Sequence, residues 1–313
     1  MNLPGGLLDV VIVNWNSGGF LADCLKSITQ HLQDKTLLQS VTVVDNASTD
    51  GSENVRDSGE LVSHWIQNED NLGFSKASNQ GARKGNAPYL LFLNPDTCLL
   101  EGSISVPLAY LESAAHDNIA IVGIQLLDES GAPARSCARL PTASSMLFRS
   151  LGLDQLPWFA KYGYMMREWS HEETRVVDHV IGAFYLIRRA VFEQLRGFDE
   201  AFYVYLEDLD FSQRVSDHGA RCMYLADAAA YHAQGGSSRN IKALRLFYAL
   251  SSRLIFAKKH FSTSAYWVVT FSTLILEPVI RLIKSVVCGA SGDVLNTVHA
   301  YRLLYTRTPG KGT

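Results

Sequence analysis

Three short apolar runs, residues 10–13 (VVIV), 41–44 (VTVV) and Tyr89–Leu93 (YLLFL), each end abruptly on a polar cluster. The clusters are Asn14-Trp15-Asn16-Ser17, Asp45-Asn46-Ala47-Ser48-Thr49-Asp50-Gly51 and Asn94-Pro95-Asp96-Thr97. The first two runs are β-branched, and helical spacing over Phe20–His31 separates them. This alternation predicts a parallel α/β sheet flanked by helices. Open sheets of that kind bind ligands beyond the carboxyl ends of their strands. Any one cluster could be only turn residues and helix caps, but three at successive strand ends outline a site.

Composition narrows the class. The chain has 313 residues, 47% of them hydrophobic, which is enough for a large core, and its formal charge of −3 gives no general attraction to nucleic acid. Cys24, Cys98, Cys137, Cys222 and Cys288 are widely spaced without a C-x-x-C pair, so neither a zinc site nor a disulfide framework is expected, and a reducing cytosolic setting fits. The opening MNLPGGLLDVVIVNW lacks a basic flank and reads as a first buried strand rather than a signal peptide. A Rossmann dehydrogenase would share the alternation, but its G-x-G-x-x-G is missing, and so is a Walker A loop. Without a glycine cradle, a bound diphosphate would need a divalent cation, and Asp96 is placed to hold one.

A second polar cluster sits in apolar company. FYVYLEDLDF at 202–211 sets Glu207, Asp208 and Asp210 among aromatic and aliphatic residues. Helical spacing over 208–215, with Gly219 as a stop, places Glu207 and Asp208 at a helix N-terminus, where the dipole favours anions. Capping and acid–base chemistry are both open to such residues. Asp210 reads as surface or structural.

Taken in order, VVIVNWNSGGFLADCLKSI, VTVVDNASTDGS, NEDNLGFSKASNQGAR, YLLFLNPDT and GFDEAFYVYLEDLDFSQR resemble the motifs of family 2 glycosyltransferases with the GT-A fold, particularly bacterial polysaccharide rhamnosyltransferases. The resemblance runs from about residue 8 to about 260 and implies a Rossmann-like, mostly parallel sheet with a C-terminal helical appendage. It implies transfer of a sugar from a nucleotide diphosphate donor with inversion, using Mg2+ or Mn2+. Asn14, Asp45, Asn46, Asn71, Gly73, Asn79, Asn94 and Asp96 would bind the donor, with Gly73 allowing backbone to approach the ligand. The alternatives are that Asp45 caps its own turn and that the 71–79 segment is a strand-to-helix turn. Asp96 stands for the last acid of the family's Asp-x-Asp, while Asn94 departs from the first. Asp96 and His232 would ligate the metal, although a lone histidine after a strand can be structural. Asp208 would be the general base and Glu207 would position the acceptor. Gly182 and Ala183, in DHVIGAFYLIRR, would lie beneath the donor sugar and leave room for a pyranose.

The resulting expectation is a catalytic domain over 1–260, with a nucleotide half at about 1–125 and an acceptor half at about 126–260. The stretch 135–175, with Arg135, Arg139, Pro141, Trp158 and Trp169, reads as an excursion over the site. After helical spacing over 244–260, residues 265–276 are almost continuously apolar and end at Glu277-Pro278, before VIRLIKSVV with Arg281 and Lys284. A run of about a dozen residues is short for a bilayer, so 261–313 is expected to lie at a membrane interface or to pack on protein. The implied enzyme moves L-rhamnose from dTDP-L-rhamnose to a polyprenyl-diphosphate-linked glycan at the inner face of the cell membrane. The same family with a UDP- or GDP-sugar is the alternative. A nucleotidyltransferase, which needs a Gly-rich loop, and a non-catalytic scaffold are more remote.

Overall fold

The computed structural model describes residues 3–32, 34–57, 61–233, 241–287 and 291–306. Cys288 lies outside them, and Cys24, Cys98, Cys137 and Cys222 are free thiols. Strands β1 (Leu8–Asn14), β2 (Leu38–Asp45), β3 (His64–Gln67) and β4 (Tyr89–Leu93) alternate with helices α1 (Phe20–His31) and α2 (Phe74–Ala82). They pair in parallel in the order β3-β2-β1-β4. Every residue of β1 and β4 is buried, as continuous apolar runs covered on both faces require. Asn14 and Asp45 are register partners, so two of the polar clusters share one edge.

The rest of the sheet is mixed. The chain continues through β5 (Thr97–Leu99), α3 (Ser105–Glu112), β6 (Ile119–Leu127), β7 (Cys137–Ala138), α4 (Ala143–Ser150), β8 (Arg175–Val177), β9 (His179–Val180), β10 (Phe184–Arg188), α5 (Arg189–Gln194), α6 (Glu207–Asp217) and β11 (Arg221–His232). β10 inserts antiparallel between β4 and β6, β11 runs parallel to β6, and β5 and β8 pair antiparallel with β11. Thus β1, β2, β3, β4, β6 and β11 share one direction, and β5, β8 and β10 oppose it. Because Phe184 opposes Leu93, the start of β10 lies at the carboxyl end of β4. Gly182 and Ala183 therefore reach the polar edge.

The tail is helical: α7 (Lys242–His260), α8 (Thr263–Phe271), α9 (Glu277–Val287) and α10 (Ser291–Thr306). Contrary to the expected interruption at Glu277-Pro278, α8 and α9 are one helix, Thr263–Val287, joined by a π-helical turn at Ser272–Leu276. Its 25 residues are long enough to cross a membrane by length and composition. The proline is tolerated for a local reason. Glu277 N–H bonds back to the Ser272 carbonyl, and Pro278 has no N–H to offer. The carbonyls left over at Thr273 and Leu274 accept the Tyr301 hydroxyl at 2.9 Å and the Tyr305 hydroxyl at 2.5 Å from α10.

α7 packs Phe247, Tyr248 and Leu250 against Ala300, Tyr301 and Leu304, and Phe256 and Ala257 share a cluster with Phe202, Leu209 and Val269. At the centre, buried Arg253 donates to Glu277, to Ser150 at 3.0 Å and to Thr273 at 3.4 Å, and Arg281 donates to Glu277 at 2.9 Å. Arg253→Met removes the main partner of a buried carboxylate and should lower the unfolding free energy by about 3 kcal/mol. Urea denaturation checks it, and Arg253→Met/Glu277→Leu should recover most of the loss. A single-variant loss below about 1 kcal/mol would show that Arg281 alone satisfies Glu277.

Candidate active site

At the β1–β2 edge the polar side chains hold one another. Asn14 donates to Asp45 Oδ1 at 2.6 Å, to Ser52 at 2.9 Å and to Ser48 at 3.1 Å, and it accepts the Ser17 hydroxyl. Buried Asp45 also accepts Ser48 Oγ at 2.6 Å, Ser48 N–H at 3.0 Å and Gln67 Nε2 at 2.5 Å. Four donors fill the lone-pair sites of a carboxylate. Asp45 does cap its own turn, and a further N–H must displace one donor, the exposed Gln67 being the one at the rim. Asn46 accepts Asn68 at 2.8 Å and donates at 3.1 Å both to Asn71 Oδ1 and to the Gly73 carbonyl, which folds the 68–73 loop onto this edge.

Gly73 and Asn79, from that loop and its helix, make contacts within the protein that fit the strand-to-helix turn reading. Gly73 has φ +85°, and a Cβ there would lie 2.5 Å from the Tyr203 carbonyl oxygen and 2.8 Å from its ring. The close approach it permits is to the 202–206 segment, whose Tyr203 carbonyl accepts the Phe74 N–H at 2.7 Å. Asn79 is spent on structure: its amide donates to the Phe198 carbonyl at 2.9 Å and to Glu200 at 3.1 Å, and it accepts the Phe198 N–H at 3.0 Å. It ties α2 to the 197–200 turn and lines the hollow between them, with Arg83 and Arg196, away from the Asp45 cluster.

The second cluster forms around Gly182-Ala183. The Ala183 carbonyl accepts Asn94 N–H at 3.0 Å and Thr97 Oγ1 at 3.3 Å, which fixes the turn carrying Asp96. The Gly182 N–H donates to Asp208 Oδ2 at 2.8 Å, and a Cβ at Gly182 would sit 3.3 Å from that same oxygen. One dipeptide thus joins the Asp96 turn to Asp208. His232 opposes Thr97 across β11 and β5, which brings its Nε2 to 3.3 Å from Asp96 Oδ1. His232 Nδ1 is buried and has no partner among the described residues. The Asp96 carboxylate and the His232 Nε2 that faces it suit a divalent cation that takes its other ligands from diphosphate and water. Among the described residues no group of three or more His, Cys, Asp or Glu side chains is gathered for a metal.

Asp208 stands in the first turn of α6, and its Oδ1 accepts the Leu209 N–H at 2.8 Å. The cap residue is Leu206, whose side chain accepts nothing; Tyr205 and Leu206, at φ +69° and +64°, are consecutive left-handed residues. Such backbone is costly and turns the chain sharply into the helix. Glu207 is buried with Oε2 unpartnered, and burial, then the neighbouring Asp208 charge, pushes its carboxyl well above the usual range. Asp210 is fully buried and structural, bonded to Arg214 at 2.8 Å, Lys259 at 2.8 Å and His260 at 2.7 Å. Burial alone would raise its pKa, but His260, Arg214 and Lys259 outweigh that and lower it.

The strand edge with Asn14 and Asp45, the Asp96–His232 pair and the Asp208 held by Gly182 all sit at one end of the sheet. The profile described as Glycosyl transferase family 2 matches residues 9–196. The chain belongs to that family. Among curated proteins it is 27% identical over 277 residues to the N-acetylglucosaminyl-diphospho-decaprenol L-rhamnosyltransferase of Mycobacterium tuberculosis, covering 83% of this chain and 86% of the relative. It is 26% identical over 182 residues to rhamnosyltransferase WbbL of Escherichia coli, covering 56% and 65%. Among solved structures, the mannosyltransferase PcManGT from Pyrobaculum calidifontis, in complex with GDP-Man and Mn2+, superposes with a TM-score of 0.57 at 14% identity, covering 97% of this chain and 88% of that one. S. aureus TarS 1–349 gives 0.54 at 15% identity, covering 95% and 91%. These likenesses establish the GT-A fold.

In this family 2 glycosyltransferase the sequence pattern gave no sign of Gln67 and Asn68 at the β2–β3 edge, or of His179, whose Nε2 lies 3.8 Å from Asp208 Oδ2. His179 sits inside the DHVIGAFYLIRR stretch, where only the small residues drew notice. In the 135–175 stretch Arg139 pairs with Glu168, Trp169 packs on His171, and Trp158 is exposed. Gly73→Ala should cost about 1–3 kcal/mol through its strained φ and should lower turnover by displacing the segment that leads into Glu207 and Asp208. Chemical denaturation and steady-state kinetics check both. A loss of only a few tenths of a kcal/mol would show that Tyr203 yields freely.

Proposed function

We propose that this protein is an inverting glycosyltransferase that moves L-rhamnose from dTDP-L-rhamnose onto a polyprenyl-diphosphate-linked glycan in bacterial surface-polysaccharide synthesis. The observation that carries the reading is the Gly182-Ala183 bridge, which links Asp208 through one amide and the Asp96 turn through one carbonyl. A base and a diphosphate anchor must keep a fixed separation for in-line displacement, and rigid backbone provides it. The names of the M. tuberculosis and E. coli relatives support rhamnose and a lipid-linked acceptor. Solved neighbours carrying GDP-Man or UDP keep another nucleotide sugar as the second reading, which a donor panel separates.

In the mechanism Asp208 takes the proton of the acceptor hydroxyl as that oxygen bonds to the anomeric carbon. The bond from that carbon to the diphosphate breaks on the opposite face, and the nucleoside diphosphate departs with the electron pair. Asp96 and His232 would hold Mg2+ or Mn2+, which when bound neutralises charge on the diphosphate. Glu207, driven towards its neutral form by burial and by Asp208, offers a hydrogen bond to the acceptor. Asn14, Asp45, Asn46 and Asn71 form the nucleoside end, Gln67 yielding to the base, and Asn94 stands at the diphosphate end. Asp208→Asn should bind donor with wild-type affinity and lose about a hundredfold to ten-thousandfold in turnover. Calorimetry with dTDP-L-rhamnose and Mn2+, paired with a transfer assay, measures it. Retained turnover would withdraw Asp208 as base.

Residues 1–260 serve as the catalytic unit and 261–313 as the membrane-facing segment on the cytoplasmic side. What supports this is the inverted polarity of Thr263–Val287. Glu277 and Ser285 are buried, whereas Trp267, Val268, Phe271, Ile275, Val279, Ile283 and Val286 are exposed along it. Their spacing of three to four residues makes one outward stripe. Because the opposite face is tied to Arg253 and α10, the helix lies in the interface rather than spanning it. Ile283→Glu/Val286→Glu should leave Tm within a few degrees and abolish co-sedimentation with anionic vesicles. Undiminished sedimentation would put the contact elsewhere.

A further inference from the structure

Beside the Asp208 carboxylate lies a chain of buried polar side chains that the transfer chemistry leaves unused. The Tyr185 hydroxyl lies 2.9 Å from Ser212 Oγ and 3.4 Å from the Asp208 carbonyl oxygen. Ser212 Oγ is 2.9 Å from His179 Nδ1, and His179 Nε2 lies 3.8 Å from Asp208 Oδ2. His179, Ser212 and Tyr185 are all buried, and they come from β9, α6 and β10. Burying three hydrogen-bonding groups is costly where an apolar trio would pack as well. A role in aiming the carboxylate explains their presence.

We infer that His179 is a positioning residue for Asp208, presenting an Nε2–H to the carboxylate because Ser212 fixes the opposite nitrogen as acceptor; this rests on Asp208 being the base. The donor order follows from the chain of contacts. Tyr185 gives its proton to Ser212 Oγ, the nearer of its two contacts, so the one Ser212 proton goes to Nδ1 and the ring proton sits on Nε2. Gly182 and Leu209 already hold Oδ2 and Oδ1 from two directions. A third donor on the protein side stops the carboxylate turning away from the acceptor. At 3.8 Å the contact is longer than a hydrogen bond and acts on the carboxylate electrostatically, through the N–H dipole in a buried site. Burial holds the imidazole pKa down against the pull of Asp208 and Asp178, so the ring stays a neutral donor.

Two measurements on the intact protein test the inference. Nitrogen-15 histidine spectra, which need no substrate, should show His179 as the Nε2–H tautomer, with that pattern changed in Asp208→Asn and scrambled in Ser212→Ala. In transfer assays with dTDP-L-rhamnose and an N-acetylglucosaminyl-diphospho-prenyl acceptor, His179→Leu should lower kcat by about a hundredfold at unchanged donor Kd. His179→Gln, which keeps an N–H donor, should recover to within a few-fold. An Nδ1–H tautomer in the wild type, or a Leu variant with wild-type kcat, overturns the inference. If His179→Leu does not fold, Ser212→Ala carries the kinetic test, and normal kcat there has the same meaning. Wild-type protein that transfers from no nucleotide sugar sinks the functional reading instead, and the tautomer spectra still decide the role of His179.

Discussion

Everything at the polar edge depends on β10 entering the sheet antiparallel between β4 and β6. That insertion carries Gly182-Ala183 to the carboxyl end of β4, where one amide meets Asp208 and one carbonyl meets the Asn94–Thr97 turn. On the Gly182-Ala183 side both contacts are made by backbone atoms. A backbone amide cannot rotate away as a side chain does, so the Asp96 turn and the Asp208 carboxylate are both anchored to one rigid peptide segment. The small size of Gly182 serves the same end, since a Cβ there would crowd the Asp208 carboxylate.

Helix α6 is fixed from its other side by charge. Asp210, two residues after Asp208, is sealed from water yet stays ionised because Arg214, Lys259 and His260 surround it. Two of those partners belong to α7, so the helix bearing Asp208 is fastened to the start of the tail. A buried carboxylate with three partners adds little net stability over an apolar substitute, but it specifies orientation, because no other placement satisfies it. The arrangement assigns neighbouring carboxyls different states. Glu207 is driven towards its neutral form by burial and by Asp208, while Asp210 is held charged. Three acids within four residues therefore do three different things.

The tail follows the same logic with the polarity turned outward. Arg253 and Glu277 meet inside, Tyr301 and Tyr305 satisfy the carbonyls that Pro278 cannot, and the apolar stripe is left on the surface. A proline at that position would normally kink or end a helix. Here α10 supplies the missing donors, so the stripe runs unbroken for the length of Thr263–Val287.

The sequence alone determined the alternating elements, the polar strand ends and the family, because apolar period and turn chemistry are local and five ordered motifs leave few folds. Asn14 with Asp45, and Asp96 beside His232, were legible as pieces for that reason. Which pieces touch was decided only by tertiary structure. Gly73 and Asn79 carry a ligand-like motif, yet in the fold they serve Tyr203 and Phe198, more than a hundred residues away. His179 was hidden because a histidine in a strand has no local signature, and its meaning comes from the chain it forms with Ser212 and Tyr185. The continuity of the last apolar helix was likewise undecidable from Glu277-Pro278, since the hydroxyls that make it possible stand on another helix. Local chemistry fixes what a segment can do, and long-range packing fixes which of those options has its hydrogen bonds satisfied.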